Sequence, residues 1–448
     1  MGDNNWSYSK IYKEIKPYEE YGMYDVAWHD GMSAADGHIG VITSCAPLND
    51  SFIFQNVEYI MPSEEPRYVP LEVGGQLDEA RQSVINMDDT WDIHNRKRTN
   101  MYCHHPGHQL RVELCRSADI TDTNALISEA AKHHHMTRND DINITDYERY
   151  TDFNRSEIVV KYKADGRTIT KRTFASLTDD VVITEITGAK DFIVNISVDD
   201  FEAMHKFGMD KNKQATSERG MKYSRFVKDD IVGVVAHYPS FEGSELAKGG
   251  FAGVTRILTD GDMRVSSKPK DSRAYTCIDE TAPVINISHA ESITLITYTD
   301  WTDDLGEYCE FRDRVNGKDT FALVDKCINK VNSVNITEEP VSLDHKNIEL
   351  KLDGGYFCES ANEELLDLQK NEYDIMPHLL EKLYYNGLYG MQACAGTTAP
   401  RLSGLWVGEW NLLWRSAYTM DANVNIQVSG INSSGSVSYT HLRAHETK

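Results

Sequence analysis

Long apolar runs are missing from this 448-residue chain. No window approaches the roughly 18 consecutive apolar residues of a membrane-spanning helix, so no spanning helix is expected. Paired cysteines are missing too. The eight cysteines (Cys45, Cys103, Cys115, Cys277, Cys309, Cys327, Cys358 and Cys394) are scattered, and none forms a Cys-x-x-Cys. That excludes the common zinc and dithiol spacings and reads as a set of reduced thiols. Positive charge is scarce: 46 Lys and Arg face 70 Asp and Glu, a formal net charge of −24. A partner with a phosphate backbone needs clustered cations, so nucleic acid is excluded as an expectation. The acidic surplus favours neutral or cationic ligands only weakly, since it mostly serves solubility. The opening residues, MGDNNWSYSKIYKEIKPYEE, hold no apolar signal core and carry early acids. They read as no secretion signal, and a cytoplasmic location is expected. A phosphate cradle is also missing. The stretch from Gly249 to Gly253 (GGFAG) reads as a turn, with no helix-opening Gly-x-Gly-x-x-Gly or Lys-Ser/Thr after it. No cofactor is expected.

What is present has the make-up of a folded protein: 40% hydrophobic and 26% charged residues, in a chain long enough for two or three domains. From Trp28 to about Trp301 short alternating runs are broken by Gly, Asp and Asn. Val181–Thr187 (VVITEIT), Ile193–Val198 (IVNISV) and the run from Ser292 to Asp300 are β-branched and alternate with period two. Lys171 onward reads as two adjacent strands joined by a Thr-Asp-Asp turn. Such runs predict a large antiparallel β-sandwich over residues 1–301 rather than a βαβ fold. After Trp301 the texture changes. Phe321, Val324, Cys327, Ile328 and Val331 fall on one helical face, within a helical linker over 302–373. From Asp374 the spacing predicts another helix. Asp374 lies near its cap, Pro377 in its first turn, and Gly396 beyond its end. Leu379, Leu380, Leu383, Tyr384, Leu388 and Met391 form its apolar stripe.

Two histidine groups invite a metal reading. His104, His105 and His108 sit beside Cys103, and His133, His134 and His135 lie in a polar loop. Neither group has carboxylates or cysteines at ligand spacing, and adjacent rings suit a tetrahedral site poorly, so no metal is expected. Asn195-Ile-Ser197 and Asn286-Ile-Ser288 match the glycosylation triplet but lie in strand patterns. They read as strand residues.

The segment Ala399–Gln427 reads APRLSGLWVGEWNLLWRSAYTMDANVNIQ, and a Tyr-rich stretch, Tyr384-YNGLYG, precedes it. The order Tyr-rich stretch, small-residue loop, Leu-x-Gly-x-Trp, Trp-x-x-x-Tyr and Asn-x-Asn-x-Gln resembles the start of the catalytic domain of glycoside hydrolase family 95, mostly α-L-fucosidases. The likeness runs more loosely backward through Trp28-HDGMSAADGHIG, Asp146-YERYTDF and Arg172-TFAS, and covers most of the chain to about Ser436. It implies a multidomain β-then-α architecture: an N-terminal antiparallel super-sandwich (1–301), a helical linker (302–373), and the first helices of an (α/α)6 barrel (374–436).

The resemblance also implies a chemistry. Family members invert configuration, holding the attacking water on two Asn amides made basic by an Asp, with a Glu as general acid. The Asn pair corresponds to Asn423 and Asn425. Here the first Asn follows Tyr418 at a longer spacing than in the family, and an ungapped match aligns Asp421 and Asn423 instead. Asp421 is therefore a second candidate base. The family's next motif, Asn-Tyr-Trp-Pro, is replaced by Val428-SGIN. The plainer reading of an isolated Asn-x-Asn is helix capping or turn satisfaction. Trp406, Trp410 and Trp414 recur every four residues and are candidate sugar platforms, although such spacing also suits a core. Thr398 and Arg401 are candidate hydrogen-bonding partners for sugar hydroxyls.

Twelve barrel helices need more than about 200 residues at ordinary helix lengths. Asp374 to Ser436 is far shorter. The general acid and the polarising Asp are therefore expected beyond this sequence, and the polypeptide as written is expected to be inactive. The last twelve residues, VSYTHLRAHETK (437–448), look like an adapter-derived tail. The expected partner is an oligosaccharide, ending in α-L-fucosyl or α-L-galactosyl residues. A barrel disaccharide phosphorylase and a non-catalytic carbohydrate-binding protein remain alternatives. The oligomeric state is left open.

Overall fold

The computed structural model describes residues 5–9, 31–61, 77–86, 103–116, 142–152, 156–176, 178–198, 222–238, 248–269, 281–306, 321–335, 401–408 and 422–430, with separate positions between 386 and 398. Strands are numbered in chain order. One sheet has nine strands: β1 (Asn5–Ser9), β8 (Ile144–Asp152), β9 (Glu157–Ala164), β10 (Arg167–Ser176), β11 (Val181–Thr187), β18 (Ser292–Thr302), β15 (Gly250–Thr259), β14 (Ile231–His237) and β13 (Lys222–Lys228). A second has seven: β16 (Asp262–Pro269), β17 (Thr281–Ser288), β12 (Ile193–Val198), β7 (Gln109–Cys115), β4 (Asn49–Asn56), β3 (Ile39–Thr43) and β2 (Met32–Ala35). A two-stranded pair, β5 (Ile60–Met61) and β6 (Cys103–His104), lies apart. Every ladder between these strands is antiparallel.

The two large sheets face each other across one core, as the alternating sequence predicts. Val41, Phe54, Leu110, Val112 and Ile196 of the seven-stranded sheet meet Ile158, Val160, Val182, Phe251 and Leu295 of the nine-stranded sheet. Each such buried side chain contributes about 1.5–3 kcal/mol. The strand expectations at 181–187, 193–198 and 292–300 correspond to β11, β12 and β18. Helix α1 (Leu77–Asn86) and strand β1, which pairs with β8, are elements the alternation did not announce.

The core also contains an ion pair. Lys171 on β10 and Asp50 on β4 reach inward from opposite sheets, with their side chains 5% and 1% exposed. Lys171 Nζ donates to Asp50 Oδ2 (3.0 Å) and to the Ala46 carbonyl (2.8 Å). Asp50 Oδ1 accepts from Thr43 Oγ1 and Ser44 Oγ, both at 2.8 Å. Every strong polar atom of the pair therefore has a partner, the condition under which buried charge is tolerated.

The helix expected in the linker is α2 (Ala322–Ser333), which buries Leu323, Val324, Cys327, Ile328 and Val331. It lies on the outer face of the nine-stranded sheet across β15 and β18, where Cys327 Sγ approaches the Ala252 carbonyl and Lys326 pairs with Asp300. Beyond residue 374 the described residues do not make up an (α/α)6 barrel. They comprise helical positions between 386 and 394, turns over 402–405, and the short helix α3 (Asn423–Val428). Leu379, Leu380, Leu383, Tyr384, Leu388 and the 437–448 tail lie outside the described residues. Among the described residues, no helix is long and apolar enough to cross a membrane.

Candidate functional site

The Leu-x-Gly-x-Trp segment lies on the outer face of the seven-stranded sheet, against the hairpin formed by β2 and β3. Backbone proximity sets the geometry. A Cβ on Gly40 would overlap the Leu405 carbonyl, and one on Gly396 would overlap the Gly37 carbonyl. Tyr389 donates its hydroxyl to the Ser33 carbonyl (3.0 Å), and the Val407 amide donates to Gln55 Oε1 (3.0 Å). Trp406 is half-buried and packs on Ile42 and Ile53, which form a small apolar floor separate from the main core. Two Gly-rich motifs from opposite ends of the chain are thus in direct contact.

Arg401 is 2% exposed and lies close enough to His104 for its charge to act on that ring. Burial first, and then Arg401, pushes His104 down to about 3, so the ring is neutral. Its Nδ1 lies 2.8 Å from the Tyr59 carbonyl, which fixes that nitrogen as the protonated donor. Thr398 is partly buried, and its hydroxyl has no hydrogen-bond partner among the described residues; the same holds for Trp406 Nε1.

A charged cluster that sequence reasoning did not single out occupies the adjacent rim. The β2–β3 turn runs Asp36-Gly37-His38-Ile39. Asp36 Oδ1 accepts from the His38 amide (2.8 Å) and the Ile39 amide (2.7 Å), and Gly37 supplies the left-handed residue (φ 92°) that the turn requires. His38 Nδ1 then meets Asp180 Oδ1 at 2.6 Å. Asp180 sits in the β10–β11 turn of the other sheet at φ 53°, a conformation Asp tolerates better than most residues. Lys330 of α2 reaches within 4.0 Å of Asp180 and lies over the Tyr298 ring. Burial, with a further push from Asp180, raises the Asp36 carboxyl to about 6 despite its two amide donors. Burial acts to lower the His38 pKa, but the hydrogen bond and charge of Asp180, with the charges of Asp36 and Glu58, outweigh it and the net direction is up. Two groups, both with raised pKa, therefore stand side by side where the β2–β3 hairpin meets the β10–β11 turn and α2. The sequence signal was the Asp-Gly turn dipeptide. The partner 142 residues away carried none.

The remaining candidates are placed as follows. Asn423 and Asn425 are exposed on α3, two positions apart. At 3.6 residues per turn their side chains leave the helix about 200° apart, so one water reaches both amides only if this turn opens. Neither caps the helix, whose N-cap is Ala422. Asp421, Trp410 and Trp414 lie outside the described residues, as do His133, His134 and His135. The rings of the other histidine group are engaged in the core. His105 stacks on Tyr59 and bonds Tyr238 Oη (2.7 Å), and His108 bonds Thr255 Oγ1 (3.0 Å). Among the described residues no set of three His, Cys, Asp or Glu is arranged to hold a metal ion. Both sequon asparagines are buried in a side-chain ladder: Asn286 Nδ2 donates to Asn195 Oδ1 (2.6 Å), and Ser266 Oγ donates to Asn286 Oδ1 (2.5 Å).

No family model matches the chain, and no curated protein does. Among solved structures, a "Putative kojibiose phosphorylase from human microbiome" matches over 89% of this chain and 45% of that one, at 10% identity and a TM-score of 0.37. The chain thus spans less than half the length of that protein.

Proposed function

We propose that the chain is part of a carbohydrate-active enzyme that cleaves terminal α-L-fucosyl or α-L-galactosyl residues with inversion. The observation that supports this is the contact between the two glycine motifs. The family-like opening motif (Asp36-Gly-His-Ile-Gly40) and the family-like barrel motif (Gly396 to Trp406) lie more than 350 positions apart, yet their backbones touch at Gly37–Gly396 and Gly40–Leu405. Two resemblances read separately from sequence meet at one seam, as parts of one catalytic module should.

In this reading Asn423 and Asn425 hold the attacking water, with Asp421 as the alternative base. An amide oxygen orients water well but is a poor proton acceptor, so a carboxylate has to raise its basicity. Thr398 and Trp406, both partly buried beside the seam, contact the sugar through a hydroxyl and an aromatic face, and Trp410 and Trp414 extend the platform. Arg401 is enclosed and supports the seam; its guanidinium meets a hydroxyl only if the 401–408 segment lifts. The general acid is assigned to no residue of this sequence.

A second reading, a carbohydrate-binding protein without turnover, is favoured by the divergence of the Asn423 and Asn425 amides on α3. The test is to express the reading frame of the source locus in full and assay aryl α-L-fucoside and α-L-galactoside with and without phosphate. NMR of the first-formed anomer reports inversion. Hydrolysis that falls by orders of magnitude in Asn423→Gly supports the proposal. Turnover only with phosphate shifts the reading to a phosphorylase. Binding without turnover, or an Asn423→Gly variant of unchanged rate, refutes it.

A further inference from the structure

The His38–Asp180 contact joins parts of the molecule that the strand ladders leave unconnected at this rim. His38 is at the tip of the β2–β3 hairpin in one sheet, and Asp180 is in the β10–β11 turn of the other. The hairpin is also the seat of Gly396 and the 401–407 turn segment, because Gly37 backs Gly396 and Gly40 backs Leu405 with no room for a side chain between them. Whatever fixes the hairpin tip fixes that seat. We propose that His38 is a proton-operated latch: when its ring is charged, the hairpin is drawn onto Asp180 and Gly396 and the 401–407 segment are held down, and when the ring is neutral that hold weakens.

The groups facing the ring determine the sign. The hairpin presents Asp36, the turn after β4 presents Glu58, and the β10–β11 turn presents Asp180; all three are acidic. Lys330 of α2 approaches the other Asp180 oxygen, Oδ2, at 4.0 Å and lies over the Tyr298 ring, whereas His38 holds Oδ1. Lys326 is occupied by Asp300. Charge on His38 is therefore welcomed from three directions. The opposing interaction is weak: Asn56 Nδ2 lies 3.4 Å from His38 Nε2, a long bond that only the neutral ring can accept. That amide already donates to the Thr299 carbonyl at 2.9 Å, so protonation leaves it with a partner, and the new Nε2–H of the part-exposed ring turns to water.

The pKa directions agree with the geometry. A His whose pKa rises on folding adds stability that is complete below its unfolded value of about 6.5 and is lost as pH rises through the higher folded value. Asp36, raised by burial to about 6, acts in the same direction. Its ionisation burdens the hairpin as pH rises from about 4 to about 6. The two are separable because Asp36→Asn keeps the acceptor for the His38 and Ile39 amides while removing the titration. His38→Gln keeps a donor for Asp180 without a proton to lose.

The test is hydrogen exchange by mass spectrometry on the full chain between about pH 5.5 and pH 8, with rates corrected for intrinsic chemistry. Peptides covering 33–42 and 401–407 should lose roughly tenfold in protection across this range in the wild type and in Asp36→Asn, while peptides of β11 and β18 hold constant. His38→Gln and Asp180→Asn should abolish the dependence at unchanged far-UV dichroism. If His38→Gln fails to fold, the His38 ring proton in selectively labelled wild-type protein gives the second measurement, assigned by its through-space contacts with the Asp36 and Asn56 side chains. A midpoint above 6.5 that falls in Asp180→Asn supports the latch. Protection independent of pH, a dependence that survives His38→Gln, or a His38 midpoint at or below the ordinary value overturns it. The exchange readout needs no substrate, so this inference stands or falls apart from the glycoside reading.

Discussion

Replacing Lys171 with Met tests whether the two sheets are held by a charge pair as well as by apolar contact. The side chains are nearly isosteric along their methylenes, so packing against Tyr162 is conserved and the ammonium is what disappears. Asp50 then keeps two hydroxyl donors, Thr43 and Ser44, but faces the core with an uncompensated charge, and the Ala46 carbonyl loses its donor. Removing one member of a buried pair typically costs about 3–5 kcal/mol. Asp50→Asn fails for the mirror-image reason, because it strands the Lys171 ammonium. The double variant, Lys171→Met with Asp50→Asn, is the discriminating one. The introduced amide keeps an oxygen that accepts from Thr43 and Ser44 and no charge is buried, while its NH₂ and the Ala46 carbonyl lose the ammonium that joined them. The loss should shrink to about 1–2 kcal/mol, that of one or two neutral hydrogen bonds. Urea unfolding followed by far-UV dichroism measures all three. In thermal melts each single variant should fall by roughly 10 °C, with the double between them and the wild type. A double variant no more stable than Lys171→Met, or a single variant losing less than about 1 kcal/mol, would mean that water reaches the pair and that it does not bind the sheets together.

Two further predictions rest on close packing. Gly40→Ala places a methyl against the Leu405 carbonyl, a backbone atom that cannot rotate away, so the 401–408 segment should detach while the sandwich stays folded. Limited proteolysis should then cut near 401–408 in the variant alone, whereas Gly387→Ala, with nothing within 4 Å, should leave the pattern unchanged. Asn195 and Asn286 should carry no glycan even in a glycosylating host, because both side chains bond each other beneath the surface of their sheet. Detection of a glycan on either by peptide mass spectrometry would refute the register of β12 on β17.

Much of the sandwich could be read from the sequence because β-branched alternation is a local property. Val181–Thr187 and Ile193–Val198 state their secondary structure within seven residues, and α2 states its buried face through Val324, Cys327 and Val331. Strand β1 could not be read that way. It pairs at the sheet edge with β8, which follows it by well over a hundred residues, so nothing local marks it. The seam is an intermediate case. Gly37, Gly40, Gly396 and Gly404 stand out as glycines within family-like motifs, yet a glycine required by a turn and one required by a neighbouring backbone look identical in sequence. The rim cluster is out of reach of the sequence: Asp36 and His38 enter only as part of the Trp28-HDGMSAADGHIG motif, and their chemistry comes from burial and from Asp180.

The outer face of the seven-stranded sheet shows where period-two reading stops. Alternation tells which residues are apolar, and the usual inference is that the polar set meets water. Here Gln55, Gln109, Arg111, Asn195 and Asn286 occupy that outward set across four strands, and all are buried, none more than 7% exposed. Part of the cover is visible: Val407 bonds Gln55, and Trp406 lies on Ile42 and Ile53. A polar face that is enclosed needs partners at fixed places, since each stranded amide costs about 1–3 kcal/mol. An apolar face would accept a sliding neighbour; this one does not. Gln55 illustrates the constraint, because its amide is divided between the His105 carbonyl on its own side and the Val407 amide of the docked segment. Shifting that segment by one residue would leave Gln55 Oε1 without its donor and drive the Leu405 carbonyl away from the gap over Gly40. The sheet therefore acts as a template that sets the register of the segment leading toward Asn423. Substitutions at Gln55, far from any candidate catalytic residue in sequence, should disturb the placement of 401–407 as strongly as substitutions within the segment itself.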